Sequence, residues 1–224
     1  MTAMIKFVNS ADEGRTALGR RLVDELTRGP GVLWLVPGGS NVAAAVEIMR
    51  GIPAGLSGGL AVTLTDERFG PVGHADSNWF QLEAAGFDAG NAVTEPVLTG
   101  IDDMEAAAAD FAARLESLLA RSRVVIGHFG MGDDGHIAGI LPHSPAASAR
   151  GLVCHYKTPR HDRISCTFDA IRRCDVAFLI THGVSKLGPL ADLRRNLGLD
   201  VQPAQILKEL PEAYVCHDAS GEPK

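Results

Sequence analysis

Short unbroken apolar runs alternate along this chain with longer stripes at helical spacing, and the period switches back and forth from one end to the other. Such a sequence has few ways to bury its apolar surface. It predicts strands and helices taken in turn, which build a parallel sheet with helices on its faces. Strands are expected over 5–8, 32–36, 60–65, 123–127, 152–156, 163–168, 176–181 and 214–217. Helices are expected over 11–27, with Leu18, Leu22 and Leu26 on one face, and after Ser40, where Val42, Ala45, Val46 and Met49 recur at helical spacing. A third follows Ser77 through Ala85. The stretch 102–120 is the clearest of all, because Met104, Ala108, Phe111, Leu115, Leu118 and Leu119 form a stripe and Asp102 and Asp103 sit at its N-terminus. Shorter helical segments are expected over 170–174, 185–197 and 203–210. The expected fold class is α/β, a mostly parallel, open, Rossmann-like sheet flanked by helices, in a single domain over 1–224.

Composition narrows the function. The 224 residues are 46% hydrophobic, and a globular chain of this length hides roughly 70% of the surface its extended form exposes. With 21 Lys plus Arg against 27 Asp plus Glu, the formal charge is −6, which argues against a nucleic-acid footprint but not against a local positive pocket. No apolar run approaches the roughly 20 residues a membrane span needs; the longest is broken by Pro37, Gly38, Gly39, Ser40 and Asn41. The first residues lack a secretory signal, and the four cysteines form no CxxC pair. These features predict a reduced cytoplasmic protein without membrane or nucleic-acid partners, a monomer or small homo-oligomer. The eight histidines contain no HExxH, so no metal is expected.

Chemistry-bearing residues collect just beyond strand candidates, where the ligand crevice of an open α/β sheet lies. Gly38, Gly39, Ser40 and Asn41 follow the strand at 32–36, in a turn whose glycines and free N–H groups suit an anion, although Gly-Gly-Ser is also an ordinary turn and cap. Asp66, Glu67 and Arg68 follow the strand at 60–65. Arg68 suits a bidentate phosphate contact, with the two acids orienting it or building the loop; a solvated charge cluster is the bland alternative. The run Gly130 to His136 follows the strand at 123–127. In it His136 supplies an imidazole, the side chain suited to proton exchange, and Asp134, two residues earlier, is placed to orient it. Lys186 and Arg163 are further candidate anion contacts. His128 and His143 read more simply as a strand-end and a surface histidine.

Together these stretches carry a resemblance. Gly38-Gly39-Ser40, Asp66-Glu67-Arg68 with Ser77-Asn78-Trp79, the Gly130 to His136 loop, Leu141-Pro142, Arg163 to Thr167, and Gly183 to Lys186 occur in the order seen in the 6-phosphogluconolactonase family, a relative of the glucosamine-6-phosphate deaminases. The resemblance covers most of the chain. It implies the sugar-phosphate isomerase/deaminase fold and hydrolysis of 6-phospho-D-glucono-1,5-lactone in the pentose phosphate pathway, on a small-molecule phosphosugar lactone, without metal or organic cofactor. It further implies His136 as the base that activates water, Asp134 as organiser of its loop, and Gly39, Ser40, Asn41, Arg68, Arg163 and Lys186 as contacts to phosphate or nearby oxygens. Asn41 stands where the family usually has threonine, and Gly139 to His143 differs from the family's usual run. A deaminase is the alternative suggested by Gly135-His136-Ile137-Ala138, but Leu141 occupies the position of the deaminase glutamate and Arg68 that of its tyrosine. A non-catalytic sugar-phosphate binder is a second alternative.

Overall fold

The computed structural model describes residues 4–219. Seven strands form one sheet: β1 (Met4–Val8), β2 (Val32–Val36), β3 (Leu60–Leu64), β5 (Val93–Glu95), β6 (Val124–Phe129), β9 (Val176–Thr181) and β10 (Glu212–His217). Their spatial order is β1-β10-β9-β6-β2-β3-β5, and every pairing is parallel. β2, β6 and β9 are buried at every residue, as the continuous apolar runs require of strands covered on both faces. Trp34, Phe129 and Phe178 are among the largest fully buried side chains.

Helix starts follow local capping. Ser10 accepts the N–H of Glu13 to open α1 (Ala11–Arg28), and Asp103 accepts that of Ala106 to open α5 (Met104–Arg121). Along α5 the residues Ala107, Ala108, Phe111, Leu115, Leu118 and Leu119 are buried, while Met104 is only partly so. Helix α2 (Val42–Arg50) is not capped by Ser40. Ser40 lies in a 3-10 turn, Gly39–Asn41, and the N-cap residue of α2, Asn41, makes no side-chain cap bond. No helix of the described residues is long and apolar enough to cross a membrane, and the four cysteines are free.

Several elements depart from the sequence reading. Asp66, Glu67 and Arg68, expected in a loop, form strand β4 (Asp66–Arg68), which pairs antiparallel with β8 (Asp162–Cys166); β8 pairs in turn with β7 (Val153–Lys157). The partner that makes β4 a strand lies far along the chain, beyond the reach of local pattern. Thr167 accepts the N–H groups of Asp169 and Ala170, so the strand expected to 168 ends early and the helical turn comes forward as α6 (Phe168–Ile171). The helix expected over 185–197 is a 3-10 turn, Val184–Lys186, followed by α7 (Leu187–Leu193). The stretch 203–210 is 3-10 helix, Pro203–Glu209. Short α3 (Ala54–Ser57) and β5 carry no periodic signal at all, whereas α4 (Asn78–Ala84) starts at Ser77 as read.

The strand order sets the position of the site. After β2 the chain runs outward through β3 to β5, then returns to place β6 on the other side of β2 before continuing to β9. β2 and β6 therefore flank the switch point, and the loops leaving their carboxyl ends diverge around a crevice.

Candidate active site

The segments leaving β2, β3, β6 and β9 enclose a cleft of about 320 Å³. Its walls include Gly39, Ser40, Asn41, Asp66, Arg68, Asn78, Gly132, His136, Ala138, Arg160, Arg163 and Lys186. A larger hollow of about 540 Å³ runs along α1 beside Tyr214 and Cys216, but it carries one arginine, Arg20, and no histidine. The chemistry is in the smaller space.

His136 and Asp134 form a pair. The Nδ1 of His136 lies 2.7 Å from the Oδ1 of Asp134, which also accepts the His136 backbone N–H at 3.1 Å. Partial burial works to raise the Asp134 pKa, yet the hydrogen bond and charge of His136 hold the carboxyl down at about 2. Asp134 is thus ionised near neutral pH and accepts a hydrogen bond from Nδ1–H, which leaves Nε2 as the ring's acceptor. Gly132 makes the loop possible: a Cβ there would lie 2.0 Å from His136 Nδ1 and 2.5 Å from Asp134 Oδ1. Only a residue with no side chain lets the backbone pass this close.

Four cations share the cleft, and they differ in how each is compensated. Arg163 pairs with Asp66 at 3.2 Å. Lys186 is bound to Asp133, which also accepts Ser185 Oγ at 3.0 Å; these contacts draw the Asp133 pKa down. Arg68 donates to the backbone oxygen of Asp76 at 2.9 Å and has no carboxylate partner among the described residues. Arg160 has no ion-pair partner among them either, and it is exposed in the β7–β8 hairpin. Two guanidiniums are therefore free to meet an anion, and the uncapped start of α2 adds backbone N–H groups.

Glu67 is the architectural member of the Asp66 to Arg68 strand. Fully buried, it accepts the N–H groups of Arg68, Asn78 and Trp79 and the hydroxyl of Ser77, so it ties β4 to the start of α4. Burial pushes its pKa up, and the four donors oppose that rise. Asn41 is equally structural: its Nδ2 donates to the Ile180 oxygen at 3.0 Å and joins the β2 loop to the end of β9.

Every residue singled out in the sequence for substrate or proton transfer lies in or against this cleft: His136 with Asp134, then Gly39, Ser40, Asn41, Arg68, Arg163 and Lys186. Arg160 was missed. Its signal was a cation in the Thr158-Pro159-Arg160-His161 turn between two strand candidates, next to Arg163. Asn78 was noted only as part of a motif, and here it lines the wall and bonds the Asp66 oxygen at 2.9 Å. His128 is buried within β6, stacked on Trp34 at 6.2 Å, and desolvation drives its pKa down to about 3. His143 is exposed on the surface. Among the described residues no group of three or more His, Cys, Asp or Glu is placed to hold a metal ion.

A sequence profile described as glucosamine-6-phosphate isomerases/6-phosphogluconolactonase matches residues 10–216. A 6-phosphogluconolactonase of Pseudomonas putida is 31% identical over 175 residues, 71% of this chain and 65% of that protein. Another, from Synechocystis sp., is 29% identical over 140 residues, 57% of each chain. The alignments thus span less than two thirds of the length of these two relatives. In structure, the chain superposes on a 6-phosphogluconolactonase from Thermotoga maritima with a TM-score of 0.80, covering 96% of this chain and 99% of that one at 17% identity. At that identity the likeness speaks for the fold.

Proposed function

The chain belongs to the family of glucosamine-6-phosphate isomerases and 6-phosphogluconolactonase, and we propose that it hydrolyses 6-phospho-D-glucono-1,5-lactone to 6-phosphogluconate in the oxidative pentose phosphate pathway. The observation that carries this reading is the opening of the His136–Asp134 pair and four cationic side chains onto one cleft. An ester hydrolase acting on a phosphorylated sugar needs both: a proton acceptor for water, and a charge clamp on a part of the substrate remote from the bond that breaks. The relatives named above support the same activity.

In this mechanism the lactone seats with its phosphate among Arg68, Arg160, Arg163 and Lys186 and the start of α2. Water attacks the ring carbonyl while His136 Nε2 takes its proton, and Asp134 stabilises the imidazolium that forms. As the tetrahedral intermediate collapses, the ring C–O bond breaks and the imidazolium returns its proton to the departing ring oxygen. The product is an open-chain acid that ionises to its carboxylate. No covalent enzyme intermediate is required.

The test uses freshly generated lactone, corrected for spontaneous opening. His136→Ala is expected to lower kcat by about 10²- to 10⁴-fold with native folding, the range of general acid–base contributions. Turnover equal to the parent protein rejects His136 as the base.

A further inference from the structure

Strand alternation gives the small sheet two unlike faces. Cross-strand pairing puts Asp66 opposite Ser165 and Arg68 opposite Arg163, and Arg163 in turn opposite Tyr156. Asp66, Arg68, Arg163, Ser165 and Tyr156 therefore share one face, while Glu67 and Ile164 point the other way. Asp66, Arg68 and Arg163 line the cleft. Ser165 and Tyr156 do something else with the same face. Ser165 Oγ accepts the N–H of Gly139 at 3.0 Å, and the Tyr156 hydroxyl donates to the Gly139 oxygen.

Gly139 is thus held at both ends of its peptide groups, three residues after His136. A Cβ on it would meet Ser165 at 2.8 Å and the Asp66 Cβ at 3.0 Å, so the loop is pressed flat on the sheet. Between the two, Ala138 lines the cleft and adopts a positive φ of 51°, uncommon for a residue with a side chain. A backbone in that region persists where its surroundings over-determine it. On the other side of His136, Gly135 is pinned by the N–H of Ala204, which donates to its oxygen at 3.1 Å. The loop carrying the imidazole is fastened just before and just after it. Burial pushes the Tyr156 pKa up, so the phenol keeps its proton as a donor at neutral pH.

We propose that Tyr156, supported by Ser165, is a positioning residue for His136: its hydroxyl fixes Gly139 and with it the turn that aims the imidazole at the water. The inference rests on His136 being the base. It also gives the small sheet two duties, because the strands that present Arg68 and Arg163 to the substrate would set the reach of the base as well.

Tyr156→Phe keeps the ring and deletes the donor. Its kcat on the phosphorylated lactone should fall about ten-fold while KM stays within about two-fold, since misplacing a reacting group slows the chemistry and leaves binding intact. Ser165→Ala should act in the same direction, and it decides the matter if the tyrosine variant does not fold. The specific readout is the double variant: in a His136→Ala background, Tyr156→Phe should cause no further loss, because there is no imidazole left to aim. Unchanged kcat in both folded single variants, a rise in KM alone, or an additive loss in the double variant overturns the proposal. If His136→Ala itself retains full turnover, the general-base reading falls and the positioning role falls with it. If His136→Ala is impaired and both single variants are not, only the positioning role fails.

Discussion

The two sheets of this molecule use strand geometry to opposite ends. The seven-stranded sheet is parallel, and its central strands β2, β6 and β9 are buried at every residue and mostly apolar; it contributes strand ends and a rigid floor. The three-stranded sheet is antiparallel and puts polar residues at alternate positions on the face that meets the cleft: Asp66, Arg68, Arg163 and Ser165. What differs is the cost of polarity. Deep in the large sheet the His128 ring finds no hydrogen-bond partner among the described residues, whereas in the small sheet Asp66 pairs with Arg163 and Ser165 bonds Gly139. The large sheet thus supplies the buried core and the loops that carry His136 and Lys186, and the small sheet adds Arg68 and Arg163 to the same cleft.

His128 tests the first half of that division with the largest expected effect. It is a polar ring in the large sheet, and neither ring nitrogen has a hydrogen-bond partner among the described residues. Its folded pKa is depressed to about 3 from an ordinary 6.5. The unfolded chain therefore takes up a proton that the folded chain refuses. Stability is intact above about pH 6.5 and is lost as pH falls from there toward 3, by several kcal/mol in total. His128→Phe should retain the stacking on Trp34 and remove much of this acid lability. Denaturant melts at pH 7 and pH 4.5 measure it, with turnover at pH 7 expected to be unchanged because His128 does not line the cleft. An equal pH 4.5 loss in parent and variant assigns the acid lability elsewhere, and a large fall in turnover breaks the separation of the two sheets.

The division also explains which parts of the molecule could be read in advance. Continuous apolar runs such as Val32–Val36 and Val176–Thr181 are their own signal, because a strand covered on both faces cannot contain much else. The stripe in α5 is equally local. β4 is three residues, Asp66–Arg68, two of them buried and charged, and becomes a strand only because β8 pairs with it. Nothing within a short window records that pairing. The site was more legible than the elements around it: Gly132, Asp134 and His136 lie within one loop, so their spacing already limits how they can meet, and Arg68 and Lys186 each follow an apolar strand. Arg160 escaped notice because it reaches the cleft from the hairpin joining β7 to β8.

Cations within the cleft sharpen the second half of the comparison. Arg68 stands on the small sheet without a carboxylate partner, so an arriving phosphate displaces no ion there. Lys186, on a loop of the large sheet, already holds Asp133. Arg68→Ala should therefore lower kcat/KM for the phosphorylated lactone by about 100-fold, in keeping with truncation of a charged contact to a buried anion, and Lys186→Ala by only about ten-fold. An unphosphorylated lactone should respond much less to either change. Equal losses on the two substrates would mean that the charges do not grip the phosphate.

Asp133 supplies the smallest effect and the finest discrimination. Its carboxylate is exposed and bonds Lys186, so under the proposed mechanism it would compete with the substrate phosphate for that cation. Asp133→Asn deletes the competing charge without emptying the position. An exposed pair contributes little, so KM for the phosphorylated lactone should fall only about two-fold, and the gain should shrink as salt screens the competitor. Arg68 is the internal control, because no carboxylate among the described residues pairs with it. If Asp133→Asn instead raises KM, Asp133 is holding Lys186 in the orientation the substrate needs. The cations on the loops would then be preorganised by their counter-ions, as Arg163 is held against Asp66 in the small sheet, and the contrast between the two supports would narrow to stability alone.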